Sequence, residues 1–439
     1  MHIAIVTAGG AGMFCGSCMH DNTLANALLA AGAEVSLVPT YTPIRVDEAN
    51  VSERHVYLGG INVCLESRSR IWRKLPRFLK SWLDAPWMLN LATRFGVSNN
   101  AKMLGELTLD MLAGEEGPEC RAIDELVGHL IALKPDVIVF SNALLCGVLR
   151  TLKRRYRGAV YVLLQGDDVF LDDLPDDYRD RAIAAVSERA AEFDGYLVHS
   201  NYYRDFISQY LRLPGERFHR VPLGIDLAGH DGLPEPRNNG RFAVGFFARI
   251  CPEKGLHNLI EAFRLFHRQH PDTVLKAGGS LTKKDARYFQ SLKAAAKDLG
   301  EAFDYIGSPS THAEKVAFLK SLDVLSVPTS YHEPKGLYVL EALANGVPVV
   351  QPRHGSFPEL LEATGGGLLV EPENPEQLAD ALGRLYRDAE HRTALAKSGH
   401  ANVRRLFGPE TMAEATLAVF AGRPESTEEH VEPAVECRR

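Results

Sequence analysis

Tyr331-His332-Glu333-Pro334-Lys335-Gly336-Leu337-Tyr338-Val339-Leu340-Glu341-Ala342-Leu343-Ala344-Asn345-Gly346-Val347-Pro348 begins as a polar loop and ends in a strand. A helix near 337–344 and a strand at Pro348 to Gln351 can be read from it. A helix feeding a strand is the repeating unit of a parallel sheet, and the unit recurs on both sides. Strand-like runs stand at 242–247, 273–277, 303–306 and 324–327, with helical patterns near 256–269, 282–299, 312–321 and 375–387. An earlier series has strand-like runs at 2–6, 34–38, 136–140, 159–164 and 195–199, and a helix from His20 to Ala31 that stops at Gly32. The class is therefore α/β, with two doubly wound halves in one chain.

The stretch from Asp231 to Gly240 is polar and rich in proline and glycine, as linkers are. The expected division is a first domain over 1–226, a linker over 227–240 and a second domain over 241–407. A last helix over 408–421 is expected to cross back to the first domain, and the Glu-rich tail 422–439 to be disordered. The chain has 439 residues, too many for one core. Lys and Arg total 49 against 56 Asp and Glu, so no general field draws in nucleic acid, and any phosphate site must be local. Neither a membrane span nor a signal peptide is expected.

Seven scattered cysteines do not form a disulfide framework, and a reducing, cytoplasmic setting is expected. Cys15-Gly16-Ser17-Cys18 has redox spacing, but without thioredoxin-like context or a second zinc-ligand pair it is read as a tight, glycine-rich turn. An insertion at about 66–115 fits neither half. Within it Trp72, Leu75, Leu79, Trp82 and Leu83 share one helical face, and Arg68, Arg70, Arg73, Lys74, Arg77 and Lys80 take the other. Three readings stand: a helical excursion packed on the first domain, a peripheral membrane contact, or part of an acceptor site.

Backbone amides near Lys335, Gly336 and Leu337, at the start of the quoted helix, can receive an anion. Glu341 lies one turn further on and can reach a sugar edge, while Glu333 precedes the helix. Carboxylates for hydroxyls and amides for a diphosphate suit a sugar nucleotide. Arg249 and Lys254 follow the first strand of the second half, where doubly wound sheets bind ligands, and two cations there can neutralise a diphosphate.

Taken together, Glu333 and Glu341 in an E-x7-E pattern, Arg249 to Lys254-Gly255, and Leu223-Gly224-Ile225-Asp226 resemble the retaining nucleotide-sugar glycosyltransferases of glycosyltransferase family 4. Pro348-Val349-Val350, Gly355, Pro358-Glu359 and Gly367-Leu368-Leu369-Val370 continue the likeness over most of the second half. The resemblance implies two Rossmann-like domains facing across a cleft, the glycosyltransferase B fold. It also implies metal-independent transfer from a UDP- or GDP-sugar to a sugar, lipid-linked or small-molecule acceptor, with no cofactor. By resemblance, Glu333 holds donor-sugar hydroxyls, Glu341 the ribose, and Arg249 with Lys254 the diphosphate. Gly336 and Leu337 supply amides, and Gly16 lets the first loop approach the phosphate or the acceptor. The Asp pairs 167/168, 172/173 and 176/177 are accordingly not read as a metal motif. Gln165 stands where many relatives carry a histidine toward the donor sugar, and Lys335 where an aromatic residue is common. The other activities weighed are a glycoside phosphorylase or nucleotide-sugar epimerase on the same plan, and a sugar-nucleotide binding protein without turnover.

Overall fold

Strand β1 (His2–Thr7) is buried from Ile3 to Thr7 without alternation, so both faces of its sheet must be covered. Helices cover them. The computed structural model describes residues 1–9, 15–58, 101–232 and 240–422. The first sheet holds β1, β2 (Glu34–Pro39), β3 (Val137–Phe140), β4 (Ala159–Leu163), β5 (Gly195–Val198) and β6 (Phe218–Arg220) in the order β2-β1-β3-β4-β5-β6. The second holds β7 (Phe242–Phe247), β8 (Thr273–Gly278), β9 (Phe303–Gly307), β10 (Val324–Leu325), β11 (Val349–Pro352) and β12 (Gly367–Val370) in the order β12-β11-β10-β7-β8-β9. Neighbouring strands pair in parallel throughout. Strand order reverses between β1 and β3 and again between β7 and β10, and crevices open at the carboxyl ends of strands at such reversals.

The expected α/β class with two Rossmann-like halves is thus what the chain forms. Helices Leu256–Gln269, Leu337–Ala344 and Pro375–Arg387 have the expected bounds. The first helix begins earlier than expected, at Gly16, because Cys15 in extended conformation caps it, so the Cys15–Cys18 stretch is a helix start rather than a turn. The helix expected over 282–299 is Ala286–Ala295 followed by a 3-10 segment, Lys297–Ala302. Thr282 Oγ1 donates to Asp285 Oδ2 at 2.5 Å and holds a turn ahead of it, while Gly300, at φ 52°, breaks the regular coil behind it. Strand β10 is two residues long, where 324–327 was expected.

The second domain has one large core in which Phe246, Phe263 and Phe266 are almost fully buried. The first domain has a core on each face of its sheet. One of these is completed from far along the chain: Met412, Ala413 and Val419 of helix Pro409–Phe420 pack with Ile3, Ile5, Leu28 and Val139. The Phe420 ring lies 5.0 Å from that of Tyr161 on β4. Of the insertion, helix Ala101–Ala113 is described and lies against helix Asp176–Ala190, with Tyr178 Oη donating to Glu106 Oε1 at 3.2 Å. The tryptophan and arginine stretch and residues 423–439 of the tail lie outside the described residues. No described helix is long and apolar enough to cross a membrane.

Candidate active site

The loop after β7 is tied to the loop after β10 by backbone contact. Gly255 has φ +73°, and a Cβ there would stand 1.8 Å from Pro328 O, so only glycine permits the approach. Lys254 is thereby set against the quoted stretch. Its Nζ lies 2.6 Å from Glu333 Oε2 and donates to Tyr331 Oη at 2.6 Å. Tyr331 and Tyr338 donate their hydroxyl protons to the same carboxylate oxygen at 2.7 and 3.0 Å. Lys254 Nζ also lies 5.0 and 5.1 Å from the centroids of these two rings. Glu333 is only 5% exposed. Burial alone would raise its pKa, but the Lys254 charge and the two phenols outweigh burial and hold it at about 2. Arg249 is exposed, with Nε 3.3 Å from Cys251 Sγ.

Gly336, at φ +77°, starts helix Leu337–Ala344. On that helix Glu341 Oε1 accepts from Lys315 Nζ at 2.8 Å, and the same ammonium lies 2.6 Å from Asp47 Oδ2 of the first domain. His312 Nδ1 is 3.6 Å from that Asp47 oxygen.

Gln165 and Lys335 meet in a second seam between the domains. Lys335 Nζ donates to Gln165 Oε1 and Ser17 Oγ, each at 3.0 Å. Gln165 Nε2 donates to Asp21 Oδ1 at 3.0 Å and to Ser141 O at 2.9 Å. Asp21, fully buried, also receives the Thr7 hydroxyl at 2.6 Å. Burial depresses the Lys335 ammonium, and nearby Cys15 and Asp21 oppose that effect. Gln165 thus joins a buried cation of one domain to a buried anion of the other, a task that a neutral amide with both a donor and an acceptor can perform.

A cavity of about 840 Å³ runs between the domains at the two strand-order reversals. Arg249, Lys254, Leu337, Tyr338 and Glu341 line it from the second domain, and Gly9, Gly16, Met19, Asp47 and Phe170 from the first. Of the residues singled out from the sequence, Gly16, Arg249, Lys254, Leu337 and Glu341 therefore reach its wall. Gln165, Lys335 and Gly336 stand behind the wall, and Glu333 meets it through Lys254. A Cβ on Gly16 would lie 3.6 Å from Leu337 Cδ1, an ordinary contact, so space alone does not demand glycine there. Three of the paired aspartates have these protein partners: Asp167 accepts from the Ala143 and Gln165 amides, Asp168 from Tyr203 Oη and Asp172 from Tyr210 Oη.

Sequence reading passed over Tyr331, Tyr338, Lys315, Asp47 and Asp21. The tyrosines had a signal, since they flank Glu333 inside the quoted stretch. The other three had none, because their partners come from distant parts of the chain.

Residues 234–401 match the family model described as glycosyl transferases group 1. A D-inositol 3-phosphate glycosyltransferase of Corynebacterium urealyticum is 31% identical over 42% of this chain and 44% of its own length. A GDP-mannose-dependent monoacylated alpha-(1-6)-phosphatidylinositol monomannoside mannosyltransferase of Corynebacterium glutamicum is 27% identical over 47% of this chain and 57% of its own length. The chain thus spans only about half the length of these curated relatives. Among solved structures, sucrose-phosphate synthase from Thermosynechococcus elongatus aligns with TM-score 0.70 and 18% identity over 96% of this chain and 98% of that one. The Anabaena HepE protein in complex with UDP aligns with TM-score 0.65 and 17% identity over 96% and 100%. At such identities the likeness concerns the fold, and the fold is glycosyltransferase B.

Proposed function

We propose, from the match of residues 234–401 to the model of glycosyl transferases group 1, that the protein is a retaining glycosyltransferase that moves a sugar from a nucleoside diphosphate donor to an acceptor hydroxyl. The observation that carries the reading is Lys254, on the wall of the interdomain cavity and 2.6 Å from buried Glu333. A cation facing the cavity, with an ionised carboxylate fixed behind it, suits a departing diphosphate beside a sugar ring.

In this reading Arg249, Lys254 and the amides of Gly336 and Leu337 at the helix start stabilise charge on the leaving diphosphate, where preorganised donors contribute most. The bond from the anomeric carbon to the phosphate oxygen breaks while the bond to the acceptor oxygen forms on the same face. The acceptor proton passes to the departing phosphate oxygen. The positive charge of the two side chains takes the place of a metal, so transfer should persist with a chelator present. The two glutamates differ in role: Glu341 holds the ribose, and Glu333, behind Lys254, fixes that ammonium toward the reacting sugar.

The test is steady-state kinetics on UDP- and GDP-sugar panels, with release of the nucleoside diphosphate followed with and without acceptors. Glu341→Ala should raise the donor KM roughly 10- to 150-fold, the range expected for a hydrogen bond to a charged group. Glu333→Gln should lower kcat by about 10²- to 10³-fold. Activity lost in EDTA and restored by magnesium or manganese would overturn metal independence. Conversion of the donor alone would make the protein an epimerase, and dependence on inorganic phosphate a phosphorylase. Binding of the donor without turnover in any acceptor panel would leave the non-catalytic reading.

A further inference from the structure

Lys315 is 5% exposed, and a buried ammonium needs compensating charge. Its two carboxylate partners come from different domains: Glu341, at 2.8 Å, from the second, and Asp47, at 2.6 Å, from the segment after β2 in the first. All three residues line the interdomain cavity. Asp47 Oδ1 is buried with no hydrogen-bond partner, so this carboxylate has unused acceptor capacity beside the cavity. His312 faces the other oxygen of Asp47 from the same helix as Lys315, and its Nε2 is bonded to Ala228 O at 2.7 Å. The Asp47 pKa is held low: burial alone would raise it, but His312 and Lys315 outweigh burial.

Two consequences follow from Coulomb attraction. With the domains apart, Lys315 has Glu341 as its one carboxylate partner and draws on its full charge. With the domains together, the ammonium is shared with Asp47, and Glu341 is both fixed in direction and left with more of its charge for hydroxyl donors. We propose that Asp47 and Lys315 position Glu341 across the domain seam, so that capture of the ribose diol of a nucleoside diphosphate is coupled to closure of the domains. This rests on the reading of Glu341 as the ribose carboxylate. Neither Asp47 nor Lys315 need touch the reacting atoms, and both are positioning residues.

The experiment compares equilibrium binding of UDP and GDP with binding of their 2′,3′-dideoxy forms to wild type, Asp47→Asn, Asp47→Glu and Lys315→Met. Wild type should prefer the ribose form of the better base by about 10-fold or more. Asp47→Asn and Lys315→Met should reduce that preference to about 1- to 3-fold and leave affinity for the dideoxy form nearly unchanged. Asp47→Glu should keep part of the preference. A wild type that does not distinguish the two forms, or binds neither base, overturns the ribose reading itself. A preference retained in Asp47→Asn overturns the coupling alone. Equal weakening of both forms, with a lowered melting temperature, assigns Asp47 to the fold and also rejects the coupling. Asp47→Asn removes charge without changing shape, so it decides the matter even if Lys315→Met fails to fold.

Discussion

Glu48 lies one residue beyond Asp47, and its carboxylate is close to the Thr23 hydroxyl, at 3.0 and 2.9 Å. Burial pushes its pKa up to about 7; the Thr23 bond works against this, while Asp226 and Asp47 add to it. Thr23 has one proton and a second acceptor within reach, Met19 O at 2.9 Å. When that proton goes to the carbonyl, a protonated Glu48 can donate to Thr23 Oγ1, which favours the neutral acid. The folded value is thus above the unfolded one of about 4.3. The associated stability is fully present below pH of about 4.3 and is lost as pH rises through about 7, by roughly 4 kcal/mol at most. Glu48→Gln should therefore lose less stability than wild type between pH 5 and pH 8, as read from denaturant titrations. Parallel curves would reject the assignment. Glu48 also shows what a linear sequence hides at this scale. Arg249, Lys254, Glu333 and Glu341 could be picked out because short motifs carry them, whereas Glu48 is set by burial beside Thr23 and the charges on Asp47 and Lys315 acquire meaning only when the two domains meet.

Gly255 ends the turn that holds Lys254 and opens helix Leu256–Gln269, so one residue sets the register of the Lys254 loop and the start of a helix. Gly255→Ala would force φ +73° on a residue with a Cβ and press that atom on Pro328 O. The backbone strain alone costs about 1–3 kcal/mol, and relief of the clash must move Lys254 away from Glu333. The variant should show a lowered melting temperature together with reduced kcat. A stable variant with unaltered kinetics would mean that the two loops are not coupled. Helix Leu256–Gln269 was legible because its apolar residues recur on one face. Helix Ala389–Leu406 was not, because just Gly399 and Val403 are buried in it and no apolar stripe marks its face. Helix Phe357–Thr364 buries Phe357, Leu360, Leu361 and Thr364 at helical spacing, so the signal was present but brief. Strand β12 is half-exposed for three of its four residues and lacks a continuous buried run.

Across the whole molecule, the sequence pattern revealed two halves and a last helix crossing back, but not the polar contacts that join them. Part of the join is Glu359 of the second domain, whose carboxylate accepts from the amides of Asn201 and Tyr202 at 2.9 and 2.5 Å, in the first turn of helix Asn201–Tyr210. A negative charge at a helix start is favoured, and a lost cap costs about 0.5–2 kcal/mol. Glu359→Ala should speed hydrogen exchange at the Asn201 and Tyr202 amides by roughly 2- to 30-fold, the same energy expressed as a rate ratio. Unchanged exchange would show that the domains hold together without this contact. The helix Pro409–Phe420, seated on the first sheet, bears on biosynthesis. Strand β6 ends at Arg220, but Met412 and Val419, which close one face of that sheet, are translated about 200 residues later, roughly 10–40 s at 5–20 residues per second. For that interval the face of the first sheet that carries Ile3 and Ile5 has helix Gly16–Ala30 but lacks the cover that Met412, Ala413 and Val419 supply. The N-terminal half therefore completes its folding after the C-terminal half has been synthesised, and until then it is the part of the chain that a ribosome-associated chaperone has reason to hold.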